Sequence, residues 1–580
     1  MASFLAELPA RRAALEDRHR PWQSRTVAGL LDSVTADFPH RPFVITEQGA
    51  LTYAELAASS ARLARGLVAS GVQPGDRVGL FLPNGAEMIT ARFAVARAGA
   101  VAVPISFRLQ ARELAQLLTL SQASALISME AFRDVDALAA LDSIAPGWDA
   151  PGWDAPGGQQ ALPHLRLIVV APEPGSTGQR PGALTLRRLE RDEDAGLDAE
   201  LARRAAAASP ADVSTIFYTS GTTGVPKGVL STHDMELRSA YGSAYTRAFE
   251  DGRRILFALP LNHCFAYIEG LIAAMFVAGT VIVQATFDPA AALAAIEKYE
   301  VGEALFVPTM SLAVVAAART SSRDVSCLHS VMSAASSAPA SLWSELGKLL
   351  GVEQLVTAYG MTETSAASTF TLPGGPLDDL ETTVGYPKPG GIASDPALNG
   401  RVIEYKTVDP VSGADLPPGT EGELAARGPV VTPGYFQQPE ATAAAMLPGG
   451  WLRSGDLGYV RADGALVLTG RAKDLYKCGG ELVMPAEVEE VLNRRADVMQ
   501  AFVVGVPDTR MGEVGCAFVV PEPGTELDSA EIMAACRAEL ARFKVPAYVF
   551  TVSAGQLPLT VSGKVQKFRL AQRAIEQLGL

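Results

Sequence analysis

The sequence predicts an α/β fold with a large N-terminal part and a smaller α+β C-terminal part. Three observations carry that expectation. A chain of 580 residues exceeds what one hydrophobic core holds. Helix, turn and apolar strand alternate from residue 52 onward. A second alternation of helical and strand-like runs begins at residue 485.

Residues 1–50 read as a polar lead-in with an amphipathic helix over 27–38. Thr52 is placed to cap a helix running to Ser70, followed by a turn over 71–78 and a buried strand over 78–82. Pro83-Asn-Gly precedes a helix over 86–97, and 99–104 is the next buried strand. Helices alternating with short, wholly apolar strands predict a largely parallel sheet covered on both faces. Residues 145–158 hold a tandem Pro-Gly-Trp-Asp-Ala unit, expected as a surface loop without a packed role, and the chain up to 208 is expected to stay irregular. Strands are expected over 213–217, 256–260, 305–310 and 329–333. The apolar run 271–283 is shorter than the ~20 residues needed to span a bilayer and reads as a buried helix-to-strand segment. Residues 383–436, rich in turns and short β-like runs, suggest a distorted β-subdomain. A helix over 485–492, strands over 498–506 and 515–520 and a helix over 528–541 form the C-terminal pattern.

A formal net charge of −14 without a long basic run argues against a sequence-independent grip on nucleic acid. Five cysteines, at 264, 327, 478, 516 and 536, show no metal-ligand spacing and fit the reduced thiols of a cytoplasmic protein. Residues 1–12 lack a basic stretch followed by an apolar run, so neither a secretory signal nor integral membrane contact is expected.

The segment Tyr218-Thr-Ser-Gly-Thr-Thr-Gly-Val-Pro-Lys-Gly-Val229 reads as a phosphate loop. Glycines at 221, 224 and 228 let the backbone approach a polyanion, hydroxyls stand at Thr219, Ser220, Thr222 and Thr223, and Lys227 adds charge. Pro226 and Gly228 occupy positions where a Walker loop needs glycine and a hydroxyl. By itself a glycine-rich stretch is more often an ordinary turn. The whole segment, however, closely resembles the signature of the adenylate-forming superfamily, which includes acyl-CoA synthetases, luciferases and the adenylation domains of nonribosomal peptide synthesis. The similarity runs from about Leu51 to Lys564.

The resemblance implies an N-terminal domain, 1–471, of two α/β sheet subdomains plus a distorted β-subdomain. A small mobile α+β domain, 472–580, would turn about Lys473. Matched position by position, Thr219, Ser220, Gly221, Thr222, Thr223, Gly224 and Lys227 would hold the phosphates of ATP. Ala335, Ser336 and Ser337 would lie against adenine, beside Ala358, Tyr359, Gly360 and Met361. Thr362 would face phosphate, Glu363 would carry Mg²⁺, Asp456 would take both ribose hydroxyls, and Arg471 would contact ribose or phosphate. His263 would stand beside the acyl carboxylate, with Tyr267, Ala334 and Ser365 in the acyl pocket. Lys564 would be the catalytic lysine of adenylation, and Lys477, Gly479 and Gly480 the loop that admits the pantetheine thiol of coenzyme A.

The chemistry this implies is acid–thiol ligation by a monomer or homodimer. A carboxylate attacks the α-phosphorus of ATP, pyrophosphate leaves, and a thiol then displaces AMP. An amino-acid-loading relative would place an aspartate near residue 264, where this chain has Cys264, so an acid without an α-amino group is expected. The thiol acceptor stays open between coenzyme A and the pantetheine of an acyl carrier protein. A non-catalytic relative tends to lose one of the matched charged residues, and Lys227, Glu363, Asp456, Arg471 and Lys564 are all present. The small, mostly apolar pocket positions imply a bulky hydrophobic monocarboxylic acid.

Overall fold

The computed structural model describes every residue except 1, 151–152, 154–161, 173–179, 181, 220–225, 337, 472–473, 480 and 560–564. Two seven-stranded sheets dominate the N-terminal part. In the first, Gln354–Val356, Ser330–Ser333, Glu303–Phe306, Arg254–Phe257, Thr280–Val283 and Pro42–Thr46 run parallel, and Gly49–Thr52 closes one edge as an antiparallel hairpin partner. In the second, Val213–Thr219, Val101–Pro104, Arg77–Phe81, Ala125–Met129, Leu167–Ala171 and Leu184–Thr185 run parallel, and Lys227–Thr232 pairs antiparallel with Val213–Thr219.

Strand alternation divides the first sheet between two cores. Ile255, Phe257, Val281, Leu305 and Met332 join the core shared with the second sheet. Their neighbours Leu256, Ile282, Ala304, Phe306 and Val331 pack with the helices Pro289–Tyr299, Pro308–Ala318 and Ala340–Leu350. The shared core also takes in the helices Ala86–Arg97 and His233–Thr246 and the π-helix Phe265–Ile272, every residue of which is buried. Helices buried all round need no apolar stripe, so the periodicity of 86–97 is weak although its bounds are as expected.

An antiparallel sheet of Glu404–Val408, Gly422–Arg427, Met446–Leu447, Trp451–Val460 and Leu466–Arg471 forms a β-subdomain that starts later than the expected 383–436 and takes three of its five strands from beyond residue 436. The C-terminal part has its own core, built on Val498–Asp508, Gly512–Pro521 and the helices Pro485–Asn493, Ser529–Glu539 and Lys567–Leu578.

Local chemistry explains several ends. Thr52 Oγ1 accepts from Glu55 N at 3.2 Å and Glu55 Oε2 accepts from Thr52 N at 2.8 Å, a reciprocal cap that starts Tyr53–Ala69. Pro308, expected within a strand, instead opens a helix at its first turn, where a missing N–H costs nothing. All five cysteines are free.

Three further stretches differ from expectation. The lead-in is the helix Ala2–His19: Phe4 and Leu8 pack with Ala248, and Arg12 donates to Tyr245 O and Thr246 O at 3.0 and 3.1 Å. Its stability comes from another helix's terminal carbonyls, which local sequence does not reveal. Before residue 208 stand the strand Leu167–Ala171 and the helix Ala195–Ala207, whose buried Arg204 donates to Val72 O and Ala98 O at 2.9 Å. In the duplicated unit Trp148 is packed, 5% exposed, with its indole N–H donating to Asp142 Oδ1 at 3.0 Å.

Two histidines, His233 buried and His19 half-buried, make acid stability testable. His19 Nε2 lies 2.7 Å from Phe276 O, and His233 Nδ1 accepts from Val27 N at 3.2 Å. Burial pushes each ring from 6.5 down to about 4. Between those values the unfolded chain binds more protons than the folded one, so stability falls as pH drops through 6.5 toward 4. At pH 5 the loss is about 2 kcal/mol per ring. Urea unfolding at pH 7.5 and 5.0 is expected to show it, and His19→Gln and His233→Gln to shrink the difference by about that amount each.

Candidate active site

The site grows from the hairpin in which Thr219 stands opposite Lys227. Its tip, with Ser220, Gly221, Thr222, Thr223 and Gly224, lies outside the described residues, as do Ser337, Lys473, Gly480 and Lys564. A Cβ on Gly228 would meet Ile216 Cγ2 at 2.9 Å and Tyr218 Cζ at 3.0 Å, so the hairpin needs glycine there. Residues 434–436 line its free edge: Leu230 N donates to Gly434 O at 3.0 Å and Phe436 N to Gly228 O at 2.7 Å. This brings Tyr435 under Lys227, whose Nζ stands 4.7 Å from the ring centroid. The Tyr435 hydroxyl donates to Glu363 Oε1 at 2.9 Å, and Thr432 N donates to Glu363 O at 2.8 Å. Burial pushes the Glu363 carboxyl up, against its own backbone, Tyr435 and Lys227, which favour the anion. Lys227, Tyr435 and Glu363 thus meet at the hairpin's Thr219–Lys227 end.

Glu363 sits in the turn Thr362–Thr364, between Ala358–Met361 and Ala366–Phe370. These strands pair so closely that a Cβ on Gly360 would lie 1.8 Å from Ala366 O. Thr362 Oγ1 is 3.8 Å from Cys264 Sγ, whose thiol burial pushes up to about 12. Next to it His263 Nδ1 accepts from Phe265 N at 3.3 Å, which leaves the ring proton on Nε2. Asn84 holds the loop ahead of His263: it accepts from Leu261 N at 2.8 Å and donates to Leu259 O at 2.9 Å and Gln284 O at 3.2 Å.

A second cluster gathers on Asp456, 5% exposed. Tyr359 donates to its Oδ2 at 2.7 Å, and Arg471 Nε to its Oδ1 at 2.9 Å. Gly455, at φ +73°, and Ser454, which accepts from Asp456 N at 3.0 Å, set the carboxylate's position. Ala335 lies in the left-handed region at φ +79°, a strained setting for alanine, beside buried Ala334 and exposed Ser336.

The expected pocket residues have partners within the protein. Ser365 Oγ donates to Val430 O at 3.0 Å, and Tyr267 donates to Glu236 Oε2 at 3.2 Å. Lys477 and Gly479 stand on the C-terminal sheet, where Lys477 N donates to Glu513 Oε2 and Gly479 N to Met511 O, both at 2.8 Å.

Sequence reading missed Tyr435, Asn84 and a buried charge cluster. Glu269 Oε1 accepts from Ala367 N at 3.1 Å and Lys388 Nζ at 3.2 Å, tying the π-helix to the strand that follows Glu363. Burial pushes Lys388 down to about 8. Tyr435 was within reach as the aromatic of Pro433-Gly-Tyr-Phe. Nothing local marks Asn84, Glu269 or Lys388, because the partners that fix them here lie 98 to 177 residues away.

The AMP-binding enzyme family matches residues 31–436, and the AMP-binding enzyme C-terminal domain matches 487–564. The chain is 36% identical over 548 residues to the 3-[(3aS,4S,7aS)-7a-methyl-1,5-dioxo-octahydro-1H-inden-4-yl]propanoyl:CoA ligase of Mycobacterium tuberculosis, covering 94% of this chain and 99% of that protein. It is 37% identical over 538 residues to the feruloyl-CoA synthase of an Amycolatopsis species, covering 92% and 96%. Among solved structures it resembles an anthranilate CoA ligase in complex with anthranoyl-AMP, at TM-score 0.79 and 25% identity over 96% of this chain and 98% of that one. It also resembles ATP-bound MatB from Rhodopseudomonas palustris, at TM-score 0.76 and 26% identity over 94% and 98%.

Proposed function

The chain belongs to the AMP-binding enzyme family, and on that footing we propose that the Lys227, Tyr435 and Glu363 cluster is where the β- and γ-phosphates of ATP are held. The protein uses ATP and coenzyme A to turn a carboxylic acid first into an acyl-adenylate and then into an acyl-CoA. The observation that supports the phosphate assignment is the meeting of a lysine and a buried carboxyl at the Thr219–Lys227 end of the hairpin, next to the glycine-rich segment. Lys227 supplies positive charge there, and Tyr435 orients the Glu363 carboxyl.

Mg²⁺ suits that carboxyl. Among the described residues no cluster of three or more His, Cys, Asp or Glu is set to hold a metal, so the ion would share Glu363 with phosphate oxygens and water. When bound, it neutralises triphosphate charge.

In the first half-reaction a carboxylate oxygen bonds to the α-phosphorus and the bond to pyrophosphate breaks. His263 Nε2–H is assigned to the incoming carboxylate and Lys564 to the charge shared with the α-phosphate. Asp456 anchors the ribose, with Tyr359 and Arg471 holding its two oxygens in place. The work of these groups is positioning and charge neutralisation rather than proton transfer. In the second half-reaction the thiol of coenzyme A bonds to the acyl carbon and AMP leaves. Residues 472–580 are assigned as the domain that turns about Lys473, withdrawing Lys564 and presenting the 477–480 loop.

The acid is assigned as hydrophobic and bulky, since Ala334, Ala358 and Ala366 leave room among apolar neighbours. The names of the relatives, an indanyl propanoate and a ferulate among them, support that range. Among the described residues no helix is long and apolar enough to cross a membrane. Five free thiols suit a reducing compartment, here assigned as the cytoplasm.

The deciding experiment is pyrophosphate release across a panel of carboxylic acids, with and without coenzyme A, with mass detection of the product. Bulky apolar acids are expected to give acyl-CoA. Products that stop at acyl-AMP would make a carrier protein the acceptor, and preference for acetate or a zwitterionic amino acid would overturn the assigned acid class.

A further inference from the structure

Three side chains meet in the layer between the two large sheets, close to the loop that carries His263. Arg92 comes from the helix Ala86–Arg97, Glu236 from His233–Thr246 and Tyr267 from the π-helix Phe265–Ile272. They are 3%, 0% and 3% exposed. The Arg92 guanidinium carbon lies 3.5 Å from the Tyr267 ring centroid, and Tyr267 donates to Glu236 Oε2 at 3.2 Å. Arg92 also donates to Thr215 Oγ1 at 3.2 Å and Leu261 O at 3.4 Å.

Two atoms of this cluster are left over. Among the described residues Glu236 Oε1 and Arg92 Nε are buried without a hydrogen-bond partner. Leaving such a group unmet is costly, the more so when it is charged. The Ser214 hydroxyl donates to Ser231 O at 3.0 Å, and Thr215, which accepts from Arg92, lies beside the Glu236 carboxyl, where both hydroxyls favour the anion. Burial pushes the Glu236 carboxyl up, with Arg92 opposing. Beside the Thr215 hydroxyl and the Tyr267 phenol, the Glu236 carboxyl and the Arg92 guanidinium can together bond an occupant that both gives and takes a hydrogen bond.

Position says what that occupant is. Leu261, which accepts from Arg92, stands two residues before His263, and Tyr267 N lies 3.5 Å from His263 O, one helical turn on. Thr215 is on the strand that runs to Thr219 at the phosphate hairpin. The Tyr267 backbone is thus about one turn along the helix from the residue assigned to the acyl carboxylate, and its ring carries on to Arg92 and Glu236.

Resting on the ligase reading, we propose that Arg92, Glu236 and Tyr267 form the far end of the acyl site and select an acid with a hydroxyl at the end distal to its carboxylate. The hydroxyl donates to Glu236 Oε1 and accepts from Arg92 Nε–H. A plain alkyl or aryl end satisfies neither, and sites built to bond a hydroxyl reject the analogue lacking it far more strongly than apolar pockets discriminate by size.

The test compares kcat/KM for matched acids, 3-(4-hydroxyphenyl)propanoate against 3-phenylpropanoate and 4-hydroxycyclohexylacetate against cyclohexylacetate, read as pyrophosphate release and acyl-CoA formation. On whichever skeleton is turned over faster, the hydroxylated acid is expected to win by about tenfold or more. Glu236→Leu and Arg92→Met are expected to bring the ratio toward one, and the near-isosteric Glu236→Gln to retain part of it. Should the larger changes prevent folding, the wild-type ratio and Glu236→Gln decide. A wild-type ratio within twofold, as a trapped water at the cluster would give, overturns the proposal, as does a preference that survives both Glu236→Leu and Arg92→Met. If these acids fail while another skeleton is used, the same comparison on that skeleton decides. If no acid releases pyrophosphate, the ligase reading itself fails.

Discussion

A Glu363→Gln variant is expected to lose adenylation by about 10²–10³-fold, the scale on which a single preorganised electrostatic contact to a developing charge acts. The backbone of residue 363 stays anchored by Thr432 N, and glutamine can still accept from Tyr435, so the turn keeps its shape. The change removes the negative charge on which a cation bridging the phosphates would rest. Two assays separate this from general damage. Pyrophosphate release should fall by the stated factor and require more Mg²⁺ for half-maximal rate. Acyl-CoA formation from supplied acyl-adenylate, which carries no triphosphate, should fall by less than about tenfold. Equal loss of both steps would mean that Glu363 holds the fold of the site rather than the phosphates.

Replacing Asp456 by alanine is expected to raise KM for ATP by roughly a hundredfold, about 2.7 kcal/mol. A charged acceptor bonding two vicinal hydroxyls is worth at least that much, at about 1.5–3 kcal/mol per bond to a charged group. Tyr359 and Arg471 would lose their shared acceptor, and the buried phenol in particular would be left unpaired. A drop in Tm should therefore accompany the kinetic change. Tyr359→Phe is the control: it removes the phenol's hydrogen bond and leaves the Arg471 pair with Asp456 intact. A KM for ATP in Asp456→Ala no higher than in Tyr359→Phe would mean that the carboxylate merely holds its neighbours.

The fold was legible where residues declare their own state. Thr52 and Glu55 name a helix start by themselves, and short apolar runs such as 101–104 name strands buried on both faces. The site was legible as a set of residue types on two loops: glycines with Lys227, and the Tyr359-Gly-Met-Thr-Glu stretch. Reading failed where state depends on distant partners. The helix Ala2–His19 looks polar because part of its anchorage is arginine on carbonyls of another helix. Pro308 followed a strand so closely that its role as a helix opener was hidden.

The sequence by itself pointed to the class of fold through its alternating elements and, through the family resemblance carried by the 218–229 and 355–364 segments, to the class of chemistry, since both rest on residues contiguous in the chain. Only the tertiary structure decided that Tyr435 stands between Lys227 and Glu363, that Asn84 holds the His263 loop, and that Arg92 and Glu236 face each other across Tyr267 with unmet polar atoms. The physical reason is that a hydrogen bond or ion pair in a buried layer is made between residues far apart in the chain. Its cost or benefit exists only once water has been excluded from around both partners.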